Sequence, residues 1–210
     1  MTGKEICDST LTRPRLALAF SMTVFALNDF LYWRFDDTYG VYLVDYASKS
    51  LMLVPLLLLW KTLPAAPQKR GSWWVLLMLW LGLVVFDQLL EPLSAFLGSG
   101  WQLFGWPYIE HSGLWLLDLT LGLMLTAVAE EMVARRLALA VLPGPMWVRL
   151  ISSSLLFGLG HWGQGYGHMA LTAIIGLAFG AAYLRTGSLG VVIAAHYTIN
   201  LLVFGLHLGT

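Results

Sequence analysis

The chain has 210 residues, of which 58% are hydrophobic and only 11% charged, against roughly 25% charged in soluble domains. Twelve basic and twelve acidic side chains leave a formal net charge of zero, which gives no electrostatic basis for binding nucleic acid or a strongly acidic partner. A single cysteine, Cys7, excludes an internal disulfide and a cysteine metal cluster.

The leader "MTGKEICDSTLTRPR" has no apolar stretch followed by a small-residue cleavage site, so the first apolar segment is expected to stay in the protein. Seven apolar segments follow, at 15–33, 41–60, 72–90, 113–140, 146–161, 168–185 and 189–207. Each approaches the length of about 20 residues that crosses a bilayer. Proline and glycine mark the breaks, in "LPAAPQKRG" at 63–71, "VLPGP" at 141–145 and "RTGSLG" at 185–190. The stretch 97–113 reads as a short interfacial or re-entrant helix, with Trp101, Trp106 and Tyr108 suited to the headgroup level. The fourth segment is long enough to be broken in two, so the expectation is an all-α polytopic bundle of seven to eight transmembrane helices. No linker or fixed-period repeat divides residues 1–210, which predicts a single integral membrane domain. Lys4, Arg13 and Arg15 place the N-terminus in the cytoplasm, and alternate spans then bring Lys61, Lys69, Arg70, Arg135, Arg136, Arg149 and Arg185 to the same side.

Ionisable side chains within apolar spans are costly and mark function by default. Three groups stand out: Glu130, Glu131 and Arg135 in "AEEMVARRL", His161 closing "FGLGH", and His196 with Asn200 in "HYTIN". Glu131 and Arg135 are four residues apart with the acid first, the favourable order for an ion pair on one helical face. Glu130 then points about 100° away and is expected to be the free carboxylate. His196 and Asn200 share a face by the same spacing. Counted from the turns at 143–144 and 187, Glu130, His161, His196 and Asn200 lie about 14 to 25 Å along their helices, within one layer. Lys49 follows Asp45 by four residues and is expected to pair with it, while Asp118, about 18 Å from Glu130 along the helix, is expected to brace the bundle. Ser152, Ser153 and Ser154 read as small packing residues, His168 as lining the far loop, and His111 and His207 as interfacial.

A carboxylate and an imidazole at one depth can take a proton from water, while imidazole and carboxamide N–H groups can hold a tetrahedral oxyanion. The set therefore has the parts of a hydrolase without a serine or cysteine nucleophile. Two histidines and a glutamate could also hold zinc. The adjacent glutamates lack the H-E-x-x-H pattern, so a metal-free, cofactor-free site is expected.

These residues resemble the CAAX prenyl protease and bacteriocin-processing family of intramembrane glutamic proteases. Its motif E-E-x-x-x-R matches Glu130, Glu131 and Arg135, F-x-x-x-H matches Phe157 and His161, and H-x-x-x-N matches His196 and Asn200. The resemblance covers about 126–200, within a family-like core at about 113–207. It implies that Glu130 activates water with His161, that His196 and Asn200 bind the oxyanion, and that Glu131 and Arg135 support them. It implies as partners the lipid bilayer and a membrane-anchored protein or peptide substrate. In a compact chain of the prokaryotic inner membrane, a sorting signal or peptide is preferred to a prenylated C-terminus. The alternative is a non-catalytic bacteriocin immunity or binding protein. A transporter is disfavoured because the polar cluster is confined to the C-terminal half, without matching broken spans in the two halves.

Overall fold

A computed structural model describes residues 8–35, 37–64, 74–82, 103 and 112–207. Cys7, Asp87, Trp101, Trp106, Tyr108 and His111 lie outside the described residues, as do the end of the third expected segment and most of 97–113. All regular structure among the described residues is helical. Helix α1 runs Asp8–Arg34 and α2 Thr38–Leu59, joined by a turn in which the Asp37 carboxylate accepts the Gly40 N–H at 2.9 Å and caps α2. Helix α3 covers 74–82. A continuous helical run, α4, spans 112–141. Then come α5 Met146–Leu159, a short 3-10 turn Trp162–Gln164, α6 Tyr166–Thr186 and α7 Leu189–His207.

The breaks have local chemical causes. Pro143 and Pro145 flank Gly144, whose φ of +94° places it in the left-handed region that favours glycine. Gly187, at φ +67°, ends α6 and donates its N–H to the Tyr183 carbonyl at 2.7 Å. The helix before His161 stops at Leu159, two residues earlier than expected, so His161 stands just beyond the helix end rather than on its last turn. Glycines at 158, 160, 163 and 165 surround it and weaken the helix there.

Helix α4 is the axis of the bundle, packed by the α1–α2 pair, by the α5–α6 pair and by α7. Two of its segments, Asp118–Gly122 and Met132–Ala138, are wound as π-helix, a form that frequently accompanies functional sites. In the second segment Val133 to Ala138 are all buried, so the helix is surrounded there. Phe25, Met52 and Leu56 from α1 and α2 meet Val133, Leu137 and Phe157 in one core, and Phe179, Tyr183, Val192 and Ala195 meet Leu139 in another.

Polarity is distributed as in a membrane protein. Leu16, Leu43, Leu58, Trp147 and Leu155 face outward, while Asn28, Asp29, Lys49, Glu130, Glu131 and Arg135 are buried. Such apolar exposure exceeds what isolated surface leucines on a soluble monomer require. Leu11–Arg34, Tyr39–Leu59 and Tyr166–Thr186 are long and apolar enough to cross a bilayer, and Met146–Leu159 and Leu189–Phe204 are shorter apolar helices.

Helices α5 and α6 touch through small residues. A Cβ on Gly158 would stand 2.5 Å from the Met169 carbonyl oxygen and 2.8 Å from the Ala173 Cβ, so glycine permits the close approach. Gly158→Val should force the helices apart and lower stability by roughly 1–3 kcal/mol, the usual cost of overpacking. Unfolding in detergent micelles measures it, and wild-type stability would mean that the contact is not tight.

Candidate active site

Three helices and one turn build the polar centre. Helix α4 brings Glu130 and Glu131 at the end of its α-helical part and Arg135 in the π-wound segment. Helix α2 brings Lys49, α7 brings His196, and the turn after α5 brings His161.

Glu131 and Arg135 form the expected pair, with Nε 2.8 Å from Oε2 and both side chains fully buried. The second oxygen of Glu131 has a partner that sequence spacing did not indicate: Oε1 lies 3.0 Å from His196 Nδ1. An ionised carboxylate only accepts, so Nδ1 carries the proton in this bond and Nε2 is the nitrogen turned away from it. Glu131 thus orients the imidazole, as carboxylates commonly do for functional histidines. His161 is fixed similarly, with Nδ1 2.9 Å from the Phe157 carbonyl, to which it donates. Its ring packs edge-on against Phe25 and Phe157 at centroid distances of 5.1 and 5.0 Å.

Both Nε2 atoms face the same atom. Glu130 Oε2 lies 3.9 Å from His161 Nε2 and 3.8 Å from His196 Nε2. These separations exceed a direct hydrogen bond and suit a bridging group, since polar contacts beyond 3.5 Å are commonly spanned by water. Oε2 is buried and, among the described residues, has no direct hydrogen bond.

Glu130 differs from expectation at its other oxygen. Oε1 is 2.7 Å from the Lys49 ammonium, so the carboxylate is not free of partners. The expected Lys49–Asp45 pair is replaced by this contact, because Asp45 is occupied by the Tyr32 hydroxyl and, at 3.4 Å, by Thr126. Both residues of α2 are buried, the acid between α1 and α4 and the lysine against Glu130.

Asn200 lies one turn beyond His196 on α7 and is half-buried, outside the hydrogen-bond network of the described residues. The structure therefore brings Glu130, His161 and His196 together and places Asn200 one turn from His196 on the same helix. His168, at the first turn of α6, has its ring 5.7 Å from that of His161, closer to the centre than a far-loop position. Asp118 accepts from the Tyr46 hydroxyl at 3.0 Å, in keeping with bracing. Ser153 donates to the Ala134 carbonyl at 2.6 Å and Ser154 to Leu150 at 2.8 Å, in keeping with packing.

Helix α1 holds the turn that carries His161. Asp29 Oδ2 accepts the Gly163 N–H at 2.8 Å, and Trp162 donates its indole N–H to the Ala26 carbonyl at 2.7 Å. Nothing in the sequence pattern points to this partner of Asp29, 134 residues away.

Residues 72–202, more than half of the chain, match a family model described as type II CAAX prenyl endopeptidase Rce1-like. Comparison with curated proteins and with solved structures finds no match. The matched range contains Glu130, Glu131, Arg135, His161, His196 and Asn200, whereas Phe25, Asp29 and Lys49 precede it. With the apolar exterior and membrane-length helices, the match makes the chain an integral membrane protein of a peptide hydrolase family: it belongs to the Rce1-like type II CAAX prenyl endopeptidases.

Proposed function

We propose that the protein is an intramembrane glutamic endopeptidase that hydrolyses a peptide bond near the membrane-embedded or C-terminal part of a membrane-associated protein or peptide. The observation that carries the reading is the convergence of His161 Nε2 and His196 Nε2 on the buried Oε2 of Glu130, at 3.9 and 3.8 Å. A water between Oε2 and His161 Nε2 donates one hydrogen to each and turns a lone pair toward the scissile carbonyl carbon. Its attack forms the new C–O bond, and the proton it sheds passes to the Glu130–His161 pair. The carbonyl electrons move onto the oxygen, where His196 and Asn200 stabilise the charge. Because His196 Nδ1–H is engaged by Glu131, Nε2 donates to the oxyanion only when the ring carries a proton on each nitrogen. Collapse breaks the C–N bond, and the amine leaves with the proton held by the pair.

The site works in this reading without a metal. The Lys49 ammonium on Oε1 supports this, because a cation already balances the carboxylate that zinc would require. The N-terminus lies in the cytoplasm of a prokaryote, α3 and α4 cross the membrane with the other helices, and the bundle has seven or eight spans. The substrate is a sorting signal or apolar peptide in preference to a prenylated C-terminus.

Glu130→Gln should retain the fold and lose about 10²-fold or more of the rate, the range for removal of a general base. The assay is cleavage of two quenched-fluorescent peptides by purified protein in nanodiscs, one farnesylated with a CAAX terminus and one an unprenylated apolar membrane peptide. Faster cleavage of the farnesylated peptide overturns the substrate preference, and near-normal turnover in Glu130→Gln overturns the mechanism. Binding without cleavage by the wild type would favour an immunity role.

Extended dialysis against a strong chelator should leave the rate unchanged, with elemental analysis finding well below one equivalent of zinc. A stoichiometric metal whose loss and return switch activity off and on would reverse the metal-free assignment.

A further inference from the structure

The lysine that meets Glu130 comes from outside the family match. Lys49 is 81 residues from Glu130 in sequence and 2.7 Å from its Oε1, and both side chains are 3% exposed. On its other side the ammonium lies 4.6 Å from the Phe25 ring centroid, a cation–π distance, and Phe25 stands edge-on to His161. Asp45, one turn earlier on the same helix, would be the local partner of a merely structural lysine, yet it bonds Tyr32 and Thr126.

We propose that Lys49 is a positioning residue for the hydrolytic site: by engaging Oε1 it fixes the rotation of the Glu130 carboxylate, so that Oε2 faces the two imidazoles, and keeps that carboxylate ionised. The proposal rests on the reading of Glu130 as the group that activates water. A glutamate's terminal torsion is broad and roughly two-fold, so the carboxylate plane needs an external partner to define it. An ammonium on one oxygen supplies that partner and leaves the other oxygen for the reaction.

The charges around Glu130 determine the effect of removing Lys49. Asp29 faces it from α1 and Asp45 from α2, His161 from the turn after α5 and His196 from α7, with His168 of α6 behind His161. On its own helix Glu131 is already shared by Arg135 and His196. Without the lysine, Glu130 faces three carboxylates and no lasting cation, which favours its protonated form.

The test uses full-length protein in nanodiscs and whichever of the two peptides the wild type cleaves faster. In Lys49→Met the rate at neutral pH should fall about tenfold or more, and the acidic limb of the rate profile should move up by about one pH unit or more, the scale for losing an adjacent opposite charge. Lys49→Arg should keep the limb in its wild-type place and lower kcat with little change in KM, because a guanidinium retains the charge but not the point geometry. Infrared difference spectra of the carboxyl band, assigned with Glu130→Gln, read the protonation of Glu130 without substrate and should show the same upward displacement in Lys49→Met. If Lys49→Met fails to fold, the Lys49→Arg kinetics and spectra stand alone, and a wild-type kcat there overturns the proposal. An unshifted limb and band in Lys49→Met, with Glu130→Gln inactive, overturn the role of Lys49 alone. Turnover by Glu130→Gln overturns instead the reading on which it rests.

Discussion

A carboxylate inside an apolar helix bundle needs a cation, and the Lys49–Glu130 contact at 2.7 Å meets that requirement across 81 residues of sequence. Removing one partner of such a buried pair commonly costs about 3–5 kcal/mol, because the remaining charge has no solvent to return to. The contact therefore sets where α2 lies against α4. The adjacent Glu131 is balanced within its own helix by Arg135 at 2.8 Å, so it places no comparable demand on another element. One glutamate of the pair ties the bundle together, and the other organises its neighbourhood.

Aromatic rings separate these charges and hold them in place. Phe157 lies under the Arg135 guanidinium at 5.3 Å and edge-on to His161 and His196, while Phe179 stacks on His196 at 5.5 Å. Phe25 takes the Lys49 ammonium on one side and the His161 ring on another. The rings exclude water from the ion pairs, which strengthens each electrostatic contact, and they restrict the imidazoles to the tilt at which Nε2 meets Glu130. A phenylalanine in this protein is thus as much a part of the polar centre as the groups that carry charge.

Local rules made part of this legible. The spacing of Glu131 and Arg135 gave their pair, and Pro143, Gly144 and Gly187 gave the turns, because one helical turn or one backbone dihedral decides such features. The same rule failed for Asp45 and Lys49. Helical spacing permits that pair, but Tyr32 from α1 claims the aspartate and Glu130 from α4 claims the lysine. His161 was assigned to the right neighbourhood and the wrong local structure, since a run of glycines releases the chain from the helix before the histidine. The π-wound turns of α4 have no reliable signature in one sequence. They place six consecutive residues, Val133 to Ala138, in the interior, where a polar face would ordinarily be expected.

The two halves of the chain do not divide into a site and a scaffold. The family match begins at residue 72, yet the turn bearing His161 is held by the Asp29 carboxylate and the Ala26 carbonyl of α1. A further backbone contact to this turn, from Leu103 N–H to the Gly163 carbonyl at 2.8 Å, comes from within the match. A histidine beyond a helix end, among four glycines, has little intrinsic order. Its ring can keep a defined distance from Glu130 only if that turn is anchored from outside. Helix α1 anchors the turn, α2 supplies the cation for the carboxylate, and α4 carries the carboxylate between them. The geometry at Oε2 is therefore a property of α1 and α2 as much as of the segments that carry the recognised motifs.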